Sequence, residues 1–242
     1  LQGDWSSDVC SSDLKKGADV NLQNKDGETA LHRAKEQGNQ EIIDLLTKKQ
    51  NKMKNLNKLI RNNDLEGMKR KIENIDVDFQ DTFFKKALIK AVIYNNLEMV
   101  KFLIKNGAKV DLQEETSKMT ALIYAVLEEC PEIAKFLIDN GADANLKDIT
   151  GWTAFWYAVL NDNLEIVKYL VDKGLDKTSL DLAVRYAVIN NCIDVAKYLI
   201  EKGADLHLKN YENKTVFDYA KEQGNQEIID LLTTKKIGRA HV

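Results

Sequence analysis

Lys147–Gly174 reads KDITGWTAFWYAVLNDNLEIVKYLVDKG, and the rest of the chain is built on its pattern. Asp148 and Gly151 suit a tight turn. Thr153 follows where a helix N-cap belongs, because its hydroxyl can take an orphan backbone N–H. Phe155, Ala158 and Val159 then recur at the spacing of one helix face. Asp162-Asn163 breaks the run, and both residue types tolerate the left-handed region. Glu165–Val171 is a second amphipathic helix, and Gly174 stands just past its end, where a C-terminal glycine is expected. The stretch therefore predicts a polar turn, a short helix, a tight break and a second helix.

The same unit recurs along the chain. Pairing the first-helix alanine with the acidic residue seven positions later gives Ala34/Glu41, Ala91/Glu98, Ala125/Glu132, Ala158/Glu165, Ala187/Asp194 and Ala220/Glu227, with Leu59/Glu66 fitting on leucine. Successive acidic positions lie 25, 32, 34, 33, 29 and 33 residues apart. A period near 33 predicts an all-α solenoid of stacked helix-turn-helix units. TALHRA at Thr29, TALIYA at Thr120, TAFWYA at Thr153 and NGADAN at Asn140 resemble the ankyrin repeat. The resemblance runs from Lys15 to Lys236. It departs from the family pattern where Ala30, Ala121 and Ala154 replace proline and where Ile123 and Trp156 replace histidine; only His32 keeps that histidine. It implies an ankyrin-type solenoid with short hairpin loops, used to bind other proteins.

The two ends lie outside the repeat. Residues 1–14, LQGDWSSDVCSSDL, and 237–242, IGRAHV, lack its periodicity. Codons for Asp8–Asp13 can be chosen whose reverse complement encodes Ile-Gly-Arg-Ala-His-Val. Both ends are therefore expected to be non-native flanks, translated from sequencing-adapter read-through, and set aside before fold reasoning. The whole chain carries 35 Lys and Arg against 38 Asp and Glu, a formal net charge of −3. Without the flanks the balance is −1, because they hold Arg239 against Asp4, Asp8 and Asp13. Such a balance offers no electrostatic footprint for nucleic acid. No apolar run is long enough to span a membrane. Cys130 and Cys192 occupy one repeat position two units apart, about 20 Å at roughly 10 Å per helix layer, which is too far for a disulfide. Two unpaired thiols predict a reducing, cytoplasmic setting.

Residues 15–49 read as the C-terminal end of one array, 50–52 as a polar joint, and 53–236 as a second array of six repeats. Two columns support that division. The position after the first-helix alanine holds Lys35, Ile60, Val92, Val126, Val159, Val188 and Lys221, and five residues later stand Gln40, Leu65, Leu97, Pro131, Leu164, Ile193 and Gln226. Terminal repeats need a polar outer face, since nothing stacks on them. The string AKEQGNQEIIDLLT stands at both Ala34 and Ala220, so both units read as C-terminal caps. The 29-residue step after Glu165 lacks about four residues of a hairpin turn, which predicts a notch near Gly174-Leu175-Asp176.

No G-x-S-x-G elbow, H-E-x-x-H pair or phosphate-cradling loop is present, so the chain reads as a non-enzyme with no cofactor and no metal site. Repeat spacing is expected to keep metal-ligating types apart. His32 reads as scaffold and His207 as a solvated turn residue. Binding surface is the expected function. The ankyrin resemblance implies that partners meet the hairpin tips and the exposed first-helix ends, and by repeat position the tips are Phe83, Lys85, Met119, Ile149, Thr150, Trp152, Tyr211 and Lys214. The first-helix ends offer Tyr94, Glu128 and Asn161. Trp152 is expected to lie uncovered by neighbouring units. Tyr124, Tyr157, Tyr186 and Tyr219 share one position; their rings are expected to pack while the hydroxyls reach a polar partner. The alternatives are a targeting region of a larger enzyme and a structural spacer.

Overall fold

The computed structural model describes residues 27–74, 80–175 and 177–239. The flank at 1–14, the repeat tail Lys15–Gln23, Asp176 and residues 240–242 lie outside the described residues. Among the described residues helices alternate with turns, in the order α1 (Ala30–Glu36), α2 (Gln40–Arg61), α3 (Leu65–Glu73), α4 (Gln80–Ile93), α5 (Leu97–Lys105), α6 (Ala121–Leu127), α7 (Pro131–Asp139), α8 (Ala154–Leu160), α9 (Leu164–Asp172), α10 (Lys177–Ile189), α11 (Ile193–Glu201), α12 (Val216–Gln223) and α13 (Gln226–Arg239). The fold is an all-α repeat solenoid, and the chain packs as two compact units that divide between Lys109 and Val110.

Capping chemistry starts the helices. The side chains of Thr29, Thr120, Thr153 and Thr215 accept backbone N–H groups three residues on, opening α1, α6, α8 and α12. Asn39, Asp64, Asn96 and Asn163 do the same for α2, α3, α5 and α9. Cys130 and Cys192 stand at this position before α7 and α11 and make no side-chain cap bond. Just before it, the break between the two helices of a repeat takes positive φ at Asn63, Asn95, Glu129, Asp162 and Asn191. Asn and Asp hydrogen-bond locally and enter that region at least cost, which is why they dominate the column.

In the first unit, α1 and the start of α2 close on a small apolar cluster of their own: Ala30, Ala34, Ile42 and Leu46. The expected joint at 50–52 is not a break in the helix. With no Gly or Pro between Gln40 and Arg61, nothing stops α2, and the second helix of one repeat continues as the first helix of the next. Further on, Leu56 and Ile60 are fully buried. The Asn96 amide donates to the Ile60 carbonyl at 2.8 Å, tying consecutive turns together.

The second unit stacks four hairpins: α6/α7, α8/α9, α10/α11 and α12/α13. Its core is the apolar column read in the sequence. Val126, Val159 and Val188 are buried, whereas Lys221 and Gln226 of the last repeat are not. The second helices are laced on their outer side by exposed ion pairs one repeat apart: Lys135 with Glu165, Lys173 with Asp139, Lys197 with Glu227 and Lys202 with Asp172. Such solvated pairs set register more than they stabilise. Helix α13 runs on to Arg239, so three residues of the expected flank continue its last turn.

Candidate partner-binding surface

Three tight turns, here called fingers, project in the second unit: Glu114–Met119, Asp148–Trp152 and Asn210–Lys214. Each is pinned at its base by a backbone bond between its ends. The Glu114 N–H donates to Met119 O, Asp148 N–H to Trp152 O and Asn210 N–H to Lys214 O, at 3.0, 2.8 and 3.0 Å. Each needs a left-handed residue two places before its threonine cap, and Lys118, Gly151 and Asn213 supply it at φ 58°, 87° and 62°.

The Asp148 finger shows how the local sequence builds the turn. Asp148 Oδ1 accepts the backbone N–H groups of Thr150 (2.8 Å) and Trp152 (2.9 Å) and the Thr150 hydroxyl (2.7 Å). Its Oδ2 accepts the Tyr157 hydroxyl at 2.6 Å. Burial alone would raise the Asp148 carboxyl, but these donors outweigh it and hold the group below its ordinary value. Tyr157 moves the other way, pushed up by burial and by the carboxylate it bonds. Tyr124 repeats the arrangement on Glu114 at 3.0 Å, and Tyr219 accepts from the Asn210 amide at 2.6 Å. Neighbouring fingers are linked as well. The Ile149 N–H donates to Ser117 O at 2.8 Å, and the Gln113 amide donates to Lys118 O (2.7 Å) and Lys147 O (2.9 Å).

The residues expected to meet a partner fall into three groups. Ile149 and Thr150 sit on the Asp148 finger and Tyr211 on the Asn210 finger. Ile149 is 69% exposed and Tyr211 94% exposed. Glu128 and Asn161, which close α6 and α8, are exposed too.

A second group is partly committed to the scaffold. Met119 is half-buried. Lys214 is half-buried and pairs with Glu222 at 2.9 Å and Glu212 at 3.5 Å. Trp152 departs from expectation. It is half-buried in an aromatic group, with ring centroids 5.9 Å from Trp156, 6.2 Å from Tyr157 and 6.3 Å from Tyr186. The next repeat contributes to its cover through the edge-on Tyr186 ring of α10.

The third group, Phe83, Lys85 and Tyr94, belongs to the first unit and lies on no finger. Phe83 and Lys85 are in the first turns of α4, with Phe83 against Phe84 at 5.9 Å. Tyr94 lies just past the end of α4, with the Arg61 guanidinium 4.7 Å from its ring centroid.

Two features bear on other chemistry. Cys130 and Cys192 are buried, and burial pushes both thiols up, as expected of structural cysteines rather than nucleophiles. Glu28, just before the Thr29 cap, comes together with His32 and Glu36 of α1, with ligand atoms within 4.8 Å of one another. Here metal-ligating types are not kept apart, and their four-residue spacing in the sequence is the signal for it. Arg33 lies against both carboxylates, at 3.8 Å from Glu28 and 3.9 Å from Glu36, and supplies the positive charge there. Among the described residues no helix is long and apolar enough to cross a membrane.

Comparison with known families agrees with this geometry. The sequence model for ankyrin repeats (3 copies) matches residues 56–148, 88–181 and 140–210, and the model for a single ankyrin repeat matches residues 26–63. No curated protein matches the chain.

Proposed function

Because this chain belongs to the ankyrin-repeat family, whose members generally serve as protein–protein interaction modules, we infer that it is a binding scaffold that holds a partner protein on its fingers and adjoining helix ends. The observation that carries this reading is the exposure of Ile149 and Tyr211. Both are large side chains with extensive apolar surface, held out from two fingers of one unit, where folding gains almost nothing from them. Burial against a partner would gain about 1.5–3 kcal/mol for one large apolar side chain. Thr150, Glu128 and Asn161 add polar contacts nearby, Met119 and Lys214 contribute their exposed parts, and Trp152 supports the finger from beneath. Phe83, Lys85 and Tyr94 offer a separate surface on the first unit.

The test is partner capture by the full chain and by the double variant Ile149→Ser/Tyr211→Ser. The variant should keep the parent's melting temperature within a degree or two and lose most of the captured partner. Undiminished capture would remove the fingers from the binding surface.

A further inference from the structure

The turn that closes a second helix recurs along the chain, and in two places it reads Asn–Gly. Asn106 caps α5 and Asn140 caps α7, each in the bent conformation of a helix end, with φ and ψ of −95° and 17° at Asn106 and −96° and 19° at Asn140. Gly107 and Gly141 follow at φ 97° and 88°. The same turn after α9 and α11 reads Lys173-Gly174 and Lys202-Gly203, with the glycines at φ 97° and 87°. The chain contains two Asn–Gly pairs, these two, and all four of their residues are exposed.

In an Asn–Gly pair the side-chain amide and the next backbone nitrogen react most readily, because glycine has no Cβ to shield that nitrogen. Here both reactants are held. The Asn106 amide donates to Phe102 O at 2.7 Å and the Asn140 amide to Phe136 O at 2.8 Å, which directs each side chain back along its helix. The Gly107 and Gly141 N–H groups donate to Ile104 O and Ile138 O, each at 3.0 Å. The N–H groups of Ala108 and Ala142 then donate to Leu103 O and Leu137 O, also at 3.0 Å, and close the turn.

We propose that Asn106 and Asn140 are modification sites, converted to aspartate and isoaspartate at a rate set by the turn that holds them. When the helix end opens, base removes the Gly N–H proton, the nitrogen attacks the Asn Cγ, and ammonia leaves as a succinimide closes. Water then adds to one of the two succinimide carbonyls and breaks its bond to nitrogen, giving aspartate or isoaspartate. The product no longer fits the turn. The amide donor to Phe102 O or Phe136 O is gone, a carboxylate stands at the negative end of the helix, and isoaspartate adds a methylene to the main chain. At Asn140 the new charge is next in the chain to Asp139, whose Oδ1 already accepts from the Tyr169 hydroxyl and Lys173. From there the chain leads through Asp143, whose N–H donates to Asp111 Oδ1 at 2.9 Å, into the Asp148 finger.

The test is to age the full chain at mildly alkaline pH, folded and in urea, and to follow its peptides by mass spectrometry. In urea, Asn106 and Asn140 should convert before the other asparagines. In the folded chain they should convert about ten- to a hundredfold more slowly, the scale of two hydrogen bonds that must open first. The chain supplies its own control, since lysine stands at this position after α9 and α11. The variant Asn106→Lys/Asn140→Lys should therefore keep its melting temperature on ageing, while that of the folded parent falls. Equal rates folded and in urea, earlier conversion at other asparagines, or an ageing loss in the double variant equal to the parent's would each overturn the proposal.

Discussion

Trp152 stands half-buried, its ring held by Trp156, Tyr157 and Tyr186, so its removal should cost stability as well as binding. We expect Trp152→Ala to destabilise by about 2 kcal/mol, against roughly 3–5 kcal/mol for the fully buried Phe155→Ala, both read from denaturant melts. Equal losses would place Trp152 in the core proper, and no loss would return it to open surface. Phe155 is legible in the sequence because its burial follows from helix periodicity alone. The covering of Trp152 is not, because it depends in part on Tyr186, 34 residues on, in a repeat whose first helix begins early at Lys177. Ile149 and Tyr211 are legible as exposed tips because the turn chemistry of Asp148, Gly151, Asn210 and Asn213 fixes where the chain doubles back.

At the scale of the element, the Asp148 finger is a small device held by one buried acceptor. Asp148 keeps its carboxyl below the ordinary value of 3.8, so its stabilising contribution is complete above that unfolded-state value. The contribution is lost as pH falls through the folded value. Stability of the parent should therefore decline on the acid side of about pH 4, and Asp148→Asn should show a shallower decline while being less stable at neutral pH. Denaturant midpoints measured between about pH 7 and about pH 2.5 decide this; parallel curves would mean that Asp148 does not hold the finger. Asp139 and Asp218 are also lowered, each by hydrogen bonds to its ionised form, so some acid dependence should survive in the variant. The threonine caps, the left-handed breaks and the tyrosine column are all readable in the sequence, since each rests on contacts close along the chain. Helices α2 and α4 are harder. The absence of Gly and Pro in Gln40–Arg61 permits a continuous helix, but only the packing of Leu56 and Ile60 shows that the chain uses it. Counting along the repeat assigns Phe83 and Lys85 to a finger, and that count fails where the first helix begins early.

At the scale of the whole molecule, the repeat period and the family match agree over residues 26–210. The boundary between two arrays at 50–52 stays a proposal. In its favour, Ala30, Ala34, Ile42 and Leu46 form a cluster of their own, and Lys35 and Gln40 are exposed, as Lys221 is in the last repeat. Against a loose joint stands the continuity of α2. A fragment of residues 53–236 should accordingly keep a single cooperative thermal transition, within a few degrees of that of residues 15–236. Loss of cooperativity would mean that the first hairpin is integral to the later repeats. Whether the fingers of the second unit meet the partner is decided by placing a photo-crosslinking amino acid singly at Ile149, Tyr211, Lys168 and Lys197. Partner adducts are predicted from Ile149 and Tyr211 and none from Lys168 and Lys197, which lie on the second helices; adducts only from the latter pair would put the partner on the opposite face and contradict the assignment of binding to the fingers.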